Sequence, residues 1–459
     1  MKRAQACKGR LSRRLAETVD LLIKGATLLT PAGEALADIA IRHGRIARIG
    51  SIDPALAGKV IDAAGLHILP GVIDTQVHFR EPGLEHKEDL ESGSRSAVMG
   101  GVTAVFEMPN TKPATTSAEA LADKVARARG RMHCDFAFFV GATRDNVEQL
   151  PELEKLPGAA GIKAFMGSST GDLLVDDEET LARILAVISR RAAFHAEDEA
   201  RLKARANIRR EGDAASHSEW RDAEAAFAAT QKLLRLATAA GKRVHVLHVS
   251  TRGEMELLAR HKDVASVEVT PQHLTLVAPE AYAALGTRAQ MNPPLRDASH
   301  QPALWGALAQ GVIDVLGSDH APHTLEEKAQ TYPASPSGMP GVQTLVPVML
   351  DHVNAGRLSL ARFVDLTSAG PQRVFGIAGK GRIAVGYDAD LTIVDLKAER
   401  VIEDDWIASR SGWTPFAGRK VTGWPIGTIV RGQVAMWEGE LGDASGEPVR
   451  FGEALPKSD

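Results

Sequence analysis

Short apolar runs alternate with amphipathic segments between about residue 70 and residue 375. A strand that is buried on both faces is apolar throughout, so a short apolar run that ends at a turn predicts such a strand. The segments 118–129, 177–190 and 222–239 carry apolar residues at helical spacing. The predicted strands are 71–77, 103–108, 135–140, 161–165, 193–195, 244–249, 266–270 and 312–318.

Strands that alternate with helices over such a length predict an α/β fold. With eight strands the expected architecture is a (β/α)8 TIM barrel that occupies residues 70–375. A doubly wound open sheet is the main alternative. That fold carries a glycine-rich dinucleotide fingerprint after its first strand, and the sequence that follows residue 77 has none. The pattern therefore favours the barrel.

The two ends of the chain have a different pattern, of short strands and turns. Strand-like runs lie at 19–23 near one end and at 391–394 near the other. Neither end alone has enough strands to bury a face, so residues 19–69 and 376–445 are predicted to pair into one small β-sandwich domain. Residues 446–459 are predicted to form a C-terminal tail.

Residues 1–18 are predicted to form a basic N-terminal tail. Six lysines and arginines and no acid occur among its first fifteen residues. A secretory signal would need an apolar stretch after the charged region, and none follows. A disordered basic tail or an upstream start codon is the expected explanation.

Composition narrows the classes of function. The net charge of -4 gives no reason to expect binding to nucleic acid or to a membrane surface. No apolar run approaches the roughly 20 residues of a membrane helix. The cysteines, Cys7 and Cys134, form neither a disulfide framework nor a metal pair. A reducing, cytoplasmic setting is therefore expected.

Polar side chains follow the predicted strands at the ends where a (β/α)8 barrel holds its reactive groups. Asp74, Gln76, His78 and Arg80 alternate and would share one face of the first strand. Lysine is almost never fully buried unless it is paired, which makes Lys163 unusual inside an apolar strand. The other polar residues at strand ends are Asn110, His195, His248, Asn292, Asp319 and His323. Imidazoles, a carboxylate and a lysine together predict a metal site with nitrogen and oxygen ligands.

The chain resembles the amidohydrolase superfamily, and within it the dihydroorotases, from about residue 19 to residue 440. A TIM barrel with a composite β domain is the fold that this resemblance implies. The motifs that carry it are HFREPG (78–83), HKED (86–89), MPNT (108–111), GIKAFM (161–166), HVST (248–251), NPPLR (292–296) and SDHAPH (318–323).

The resemblance implies a zinc-dependent dihydroorotase with one or two Zn²⁺ per chain. The implied metal ligands are His78, Lys163, His195, His248 and Asp319, with Lys163 carboxylated on its amine. Asp319 would also be the catalytic base and acid. The implied reaction is reversible hydrolysis of the cyclic amide of dihydroorotate to N-carbamoyl-L-aspartate, a step of de novo pyrimidine biosynthesis.

The substrate-binding residues that the resemblance implies are Arg80, Asn110, Asn292 and His323. A guanidinium grips a carboxylate in a two-pronged way, so Arg80 suits the ring carboxylate of dihydroorotate. A cyclic amidase of the dihydropyrimidinase or hydantoinase type is the alternative. Such enzymes have no ring carboxylate to bind, and the position of Arg80 is usually not basic in them.

Gln76 departs from the family pattern, which has histidine at this position. An amide oxygen is a poorer zinc ligand than imidazole, so the first metal position is left open: weakly bound, held by the other ligands alone, or empty. A catalytically silent scaffold that partners aspartate transcarbamoylase is therefore a third hypothesis.

Three further features lie near the predicted site. Glu197 and Asp198 either orient His195 or begin a helix, and a helix start is slightly favoured. Residues 324–340 are rich in proline and glycine and are expected to cover the site. A homo-oligomer is expected.

Overall fold

The computed structural model describes residues 18–169 and 173–452. The predicted basic tail lies outside the described residues except for Thr18. Within these ranges, no helix is both long enough and apolar enough to cross a membrane.

The strands of the described chain fall into two sheets. They are β1 (Val19–Thr30), β2 (Gly33–Arg42), β3 (Arg45–Gly50), β4 (Ala57–Asp62), β5 (His67–Pro70), β6 (Val72–Val77), β7 (Val102–Glu107), β8 (Asp135–Gly141), β9 (Ala159–Phe165), β10 (Ala192–His195), β11 (Val244–Val246), β12 (Ala265–Val269), β13 (Val315–Leu316), β14 (Leu391–Val401), β15 (Lys420–Val430), β16 (Gln433–Trp437) and β17 (Glu440–Leu441).

Strands β6 to β13 form one parallel sheet in chain order. The sheet nearly closes, because Val77 at the end of β6 bridges His320 just after β13. This is the predicted eight-stranded barrel, and the doubly wound alternative is wrong. All eight predicted strands are present. The last is only two residues long, because the chain around it pairs through isolated bridges rather than a continuous ladder.

The helices that accompany the strands are α1 (Leu90–Met99), α2 (Ala118–Ala128), α3 (Leu150–Leu153), α4 (Glu178–Val187), α5 (Glu199–Ala204), α6 (Ser216–Trp220), α7 (Ala223–Ala240), α8 (Arg252–Ala259), α9 (Pro271–Thr275), α10 (Glu280–Leu285), α11 (Gln301–Ala309), α12 (Leu325–Lys328), α13 (Leu345–Asn354), α14 (Leu360–Val364) and α15 (Gly370–Phe375). The residue that precedes the first turn explains where several of these helices begin. Asp89, Ser117, Asp177 and Asp222 each accept a hydrogen bond from a backbone amide of the first turn, as N-cap residues do.

The remaining strands form a nine-stranded, mainly antiparallel sheet from both chain ends. Its order is β17-β16-β15-β14-β5-β1-β2-β3, and β4 pairs with the first half of β1. The two ends meet where β5 pairs with β14. β5 then leads within two residues into β6, so this sheet directly positions the first barrel strand. The predicted composite domain is present in this form.

The base of the barrel is filled by apolar side chains, and its other end is polar. Phe106 packs edge-on against Phe139, Phe375 and Phe451, with ring centroids 5.4 to 6.2 Å apart. Phe451 belongs to residues 446–452, which lie within the predicted tail. These residues run along the start of β8, where the amide of Phe136 donates to Glu447 and the amide of Val449 donates to Phe136. The carboxyl ends of the strands are thus left for the site.

Candidate active site

Asp319 and His78 face each other where β13 and β6 end. His78 Nδ1 lies 2.8 Å from Asn110 Oδ1, to which it donates, so its Nε2 presents a lone pair 3.3 Å from Asp319 Oδ1. Gln76 Nε2 donates to the same Asp319 oxygen at 3.1 Å, while Gln76 Oε1 is buried with no hydrogen-bond partner in the described chain. His78 Nε2 and Asp319 Oδ1 thus face each other as acceptor atoms beside the buried amide of Gln76.

Asp74 holds the backbone near the ends of β6 and β13 through hydrogen bonds. Its carboxylate accepts from the amide of Ser318 at 3.0 Å and from that of Gln76 at 3.2 Å. Burial raises the pKa of Asp74 to about 7. Asp74 therefore fixes the backbone that carries Gln76 and Asp319, which is a structural task rather than catalysis.

His195 and His248 form the second pair, at the ends of β10 and β11. His195 Nδ1 lies 3.0 Å from His248 Nε2. His195 Nε2 lies 2.9 Å from Glu197 Oε2, to which it donates, so the nitrogen that faces His248 carries a lone pair. Burial lowers the pKa of both imidazoles, which favours the neutral form of each ring. A neutral His248 can donate its Nε2 hydrogen to His195 Nδ1, and in its other tautomer both nitrogens offer lone pairs to a cation between them.

Lys163 lies on β9, beside these pairs. It is 1 % exposed, and its Nζ has no hydrogen-bond partner among the described residues. The ammonium lies 4.2 Å from the ring centre of Phe165. Burial lowers the pKa of Lys163 to about 7, although Asp319 and Glu268 oppose the shift. An unpaired lysine at such a place is costly as an ammonium, which fits a modified or metal-bound role.

The donor set fits a metal. Zinc binds imidazole nitrogen at about 2.0 to 2.1 Å, so two imidazole ligands of a tetrahedral ion are about 3.3 Å apart, close to the separation of the His195 and His248 nitrogens. Histidine, cysteine, aspartate and glutamate alone form no metal-binding group of three in the described ranges. The two pairs, His78 with Asp319 and His195 with His248, therefore need a further ligand, and Lys163 lies beside both.

Both pairs open into one cavity. Its walls are Gln76, His78, Phe165, Ser169, His195, His248, Asn292, Asp319, Ala321, Ser337 and Gly338. Three site residues have left-handed backbone angles: Arg80 has φ 68°, His248 φ 36° and Asp319 φ 46°. Strain of this kind in residues other than glycine persists only where the surroundings hold it, and it clusters at functional sites.

Arg80 is buried next to His323. Its Nε donates to the carbonyl of Pro322 at 3.1 Å, and its Nη2 lies 3.3 Å from His323 Nε2. Burial lowers the pKa of Arg80 to about 10 and that of His323 to about 3, so the arginine is charged and the histidine neutral at pH 7. The prediction that Arg80 shares a strand face with His78 is wrong, because β6 ends at Val77 and the chain turns at Arg80.

The structure also places Asn292 and Asn110. Asn292 lines the cavity, and its Oδ1 accepts from His217 Nε2 at 2.9 Å. Asn110 contacts His78 through its amide oxygen. His217 and the cavity residue Ser337 were missed from the sequence. His217 lies in the five-residue helix α6, which is too short to show a helical period, and the sequence offers no other signal for it.

Glu197 contacts His195, so the slightly favoured helix start is right for Asp198 and wrong for Glu197. The N-cap of α5 is Asp198, whose side chain accepts from the amide of Arg201. Glu197 points inward instead and contacts both His195 and Arg221. Adjacent carboxylates thus have separate tasks, which a pattern of neighbouring residues does not distinguish.

Residues 324–340 form part of the cavity wall through Ser337 and Gly338. Lys328 is buried there, and its ammonium donates to the carbonyls of Pro336 at 2.8 Å, Gly338 at 3.1 Å and Gln290 at 3.4 Å. The predicted covering segment is therefore fastened to the barrel in this structure.

A parallel eight-stranded barrel with imidazoles, a carboxylate and a buried lysine at its strand ends defines the class of metal-dependent barrel hydrolases. Sequence comparison gives the particular family. The Amidohydrolase family profile matches residues 67–435, and the chain belongs to this family. Members of the family generally depend on a metal.

Individual relatives agree with this assignment. The chain is 40% identical to a dihydroorotase of Halobacterium salinarum over 416 residues, which is 88% of this chain and 95% of the relative. It is 39% identical to a dihydroorotase of Methanosarcina mazei, over 88% of this chain and 91% of the relative. An L-hydantoinase (dihydropyrimidinase) structure from Arthrobacter aurescens superimposes with a TM-score of 0.89 at 32% identity, covering 94% of this chain and 100% of that one.

Proposed function

We propose that this chain is a dihydroorotase, which hydrolyses the cyclic amide of dihydroorotate to N-carbamoyl-L-aspartate and closes the same ring in the reverse, biosynthetic direction. The observation that carries the proposal is Arg80. It is a buried cation whose nearest polar neighbours are a carbonyl and a neutral imidazole, and it follows His78 by two residues. A buried guanidinium in such a place gains most from a carboxylate ligand.

The substrate carboxylate is assigned to Arg80, Asn110 and His323. Arg80 supplies charge, and the Asn110 amide nitrogen supplies a donor while its oxygen holds His78. His323 lies beside Arg80, and its Nε2 is 3.0 Å from the carbonyl of Ser337, a residue of the cavity wall. Asn292 is assigned to the ring, because its amide oxygen is taken by His217 and its nitrogen is thereby turned away from that histidine.

The metal ligands are assigned to His78, Lys163, His195, His248 and Asp319, with Zn²⁺ as the metal and Lys163 carboxylated. A divalent ion bound there supplies an acidified water and polarises the amide carbonyl. Lys163, with its pKa near 7, is partly a neutral amine at neutral pH, which is the form that adds carbon dioxide. Whether Gln76 supports a first ion beside His78 and Asp319 decides between one and two ions per chain.

Asp319 is assigned the proton transfers. It accepts a proton from the attacking water while oxygen bonds to the amide carbon, and it delivers that proton to the ring nitrogen as the carbon–nitrogen bond breaks. The ring opens to a carbamoyl nitrogen and a carboxylic acid, and the acid releases its proton to solvent to become a carboxylate, so atoms and charge balance. Gln76 holds the carboxylate of Asp319 in place through its amide hydrogen.

A hydantoinase-type activity is the second candidate, and the structural similarity to an L-hydantoinase favours it. The two candidates differ in the ring carboxylate, which only dihydroorotate presents to Arg80. A silent scaffold is disfavoured because every other implied ligand and the residues assigned to the substrate carboxylate are present beside Gln76. Assembly into a homo-oligomer, association with aspartate transcarbamoylase, a cytoplasmic location and a place in pyrimidine biosynthesis remain predictions.

The test compares substrates on the zinc-loaded protein. We expect hydrolysis of L-dihydroorotate to exceed that of dihydrouracil and hydantoin. Arg80→Met is expected to lower kcat/KM for dihydroorotate at least a hundredfold, mainly through KM, because the loss of a charged hydrogen-bonded partner costs about 3 kcal/mol or more. Arg144→Met, at an exposed arginine, is the control and should leave kcat/KM unchanged.

Preferential turnover of dihydrouracil, or an Arg80→Met variant with undiminished activity on dihydroorotate, would contradict the proposal in favour of a hydantoinase-type enzyme. A zinc-loaded protein without turnover of any of the three substrates would support the scaffold.

A further inference from the structure

Glu197 joins a histidine of the site to a buried arginine. Its Oε2 accepts from His195 Nε2 at 2.9 Å, and both of its oxygens lie 3.1 Å from Arg221 Nε. Glu197 is fully buried, and Arg221 is 2 % exposed. The histidine, the carboxylate and the arginine are all buried and in contact, so few other partners are within reach of each group.

Arg221 continues this connection toward the second histidine. Its Nη2 donates to the carbonyl of Ser168 at 2.6 Å, and its own carbonyl accepts from Arg296. Arg296 Nε donates to Ser250 Oγ at 3.1 Å, two residues after His248. A buried chain of polar contacts therefore runs from His195 through Glu197, Arg221 and Arg296 to the loop that carries His248.

We propose that Glu197, held by Arg221, is a positioning residue that fixes the ring orientation and the protonated nitrogen of His195, so that Nδ1 is offered to a metal together with His248 Nε2. The inference rests on the metal site of the proposed function. It goes beyond the ligands themselves and gives tasks to Arg221 and to Arg296 of the NPPLR motif, which neither the metal nor the substrate contacts had explained.

The physical reason is the choice between two tautomers. Without a partner on Nε2, the imidazole hydrogen can move to Nδ1, and the ring can also rotate. A carboxylate on Nε2 keeps the hydrogen there, leaves Nδ1 as the donor to the metal, and raises its basicity. Arg221 lies against the Glu197 carboxylate as its buried ion-pair partner, so a cation and the imidazole hydrogen both face this carboxylate.

A purely structural ion pair is the competing explanation, and metal affinity distinguishes the two. Removal of a partner behind a metal-bound histidine typically weakens metal binding about 10- to 100-fold. Loss of an ion pair that serves only stability would lower the melting temperature and leave the affinity of the folded protein for zinc unchanged.

The experiment uses the full chain stripped of metal and titrated with Zn²⁺ against a chromophoric chelator at pH 7.5. Glu197→Gln keeps the shape and removes the charge, and we expect its zinc affinity to fall at least tenfold. The Co²⁺-substituted protein should also show a changed visible absorption spectrum, because the imidazole geometry at the ion differs. Arg221→Lys keeps the cation but loses the paired contact, and about a threefold loss is expected.

Asp198→Asn is the matched control. Asp198 is the adjacent carboxylate and pairs with Lys232 at 2.9 Å on the outside of the barrel. Its variant should bind zinc and cobalt like the wild type. Zinc affinities and cobalt spectra of Glu197→Gln and Arg221→Lys that equal those of the wild type would overturn the inference, even if both variants melt earlier.

The same measurements separate this inference from the proposed function. A wild type that binds zinc, loses it in Glu197→Gln and yet hydrolyses no dihydroorotate would contradict the proposed function alone. A wild type that binds neither zinc nor cobalt would contradict both.

Discussion

Lys163 is the residue at which burial and chemistry conflict most directly. An ammonium without a hydrogen-bond partner among the described residues destabilises the metal-free fold, and the protein tolerates it at the centre of the site. Aspartate and histidine could supply ligands without this cost. The position of Lys163 beside Asp319 and the two histidines therefore favours a role that only an amine can serve, such as carboxylation.

The pH dependence of the free energy of unfolding of the metal-free protein tests whether the buried ammonium of Lys163 is destabilising. The folded pKa of Lys163 is about 7, and a free lysine has a pKa of about 10.4. Between these values the unfolded chain binds more protons, so this residue makes stability rise with pH over that window. Lys163→Met should therefore raise the free energy of unfolding of the metal-free protein by about 1–4 kcal/mol at pH 6, and by less at pH 9.

Urea unfolding of metal-free protein at the two pH values measures the effect. Lys203→Met, at an exposed lysine, is the control and should change stability by less than about 0.5 kcal/mol at either pH. A Lys163→Met variant that is less stable than the wild type at pH 6 would contradict the expectation that the Lys163 ammonium destabilises the metal-free fold.

At the scale of elements, the barrel strands were predictable because their burial on both faces leaves continuous apolar runs in the sequence. The carboxyl ends of those strands then placed His78, Lys163, His195, His248 and Asp319 near one another without further information. What joins these residues was not predictable. Glu197 meets Arg221 and His217 meets Asn292 only through the tertiary fold, across 24 and 75 positions of the chain.

The predicted side-chain direction of Arg80 was wrong for a related reason. A period of two predicts side-chain direction only while the strand lasts, and β6 ends at Val77. The positive φ of Arg80 sends its guanidinium toward Pro322 and His323 instead. The resemblance to dihydroorotases assigned Arg80 to the substrate carboxylate, and that assignment does not depend on the strand face.

The covering segment 324–340 offers a prediction at this scale. Lys328 fastens it by three carbonyls, one of them that of Gly338 in the cavity wall. Lys328→Met would leave these carbonyls without their donor and loosen the wall around the substrate. We expect KM for dihydroorotate to rise about tenfold with little change in kcat, and stability to fall by about 1–3 kcal/mol.

Steady-state kinetics on zinc-loaded protein measures the effect, and Lys232→Met on the outside of the barrel is the matched control. An unchanged KM would show that Lys328 does not govern the shape of the cavity wall. A fall in kcat with an unchanged KM would show that Lys328 acts on a step after substrate binding.

At the scale of the whole molecule, one buried lysine is among the contacts that join the two sheets. Lys380 contacts Asp135 at the start of β8, and also Asp388 and Asp390, which precede β14. The amide of Glu447 donates to Asp135 as well, so the C-terminal segment joins the same cluster. The cluster lies at the base of the barrel, at the opposite end of β8 from the site.

Lys380→Met tests whether this cluster holds the two sheets together. The substitution removes the cation that contacts all three buried carboxylates and leaves Asp135 and Asp388 with arginine contacts of 3.4 to 3.6 Å. Breaking a buried ion pair costs about 3–5 kcal/mol. We expect a loss of that size in urea unfolding, with zinc affinity per folded chain unchanged because the site lies at the other end of the strands. Lys420→Met is the control: its partner Glu399 is exposed, and such a pair contributes about 0–1 kcal/mol. Equal losses of unfolding free energy in Lys380→Met and Lys420→Met would contradict this. They would mean that apolar packing joins the sheets and that the Lys380 ion pairs add no net stability.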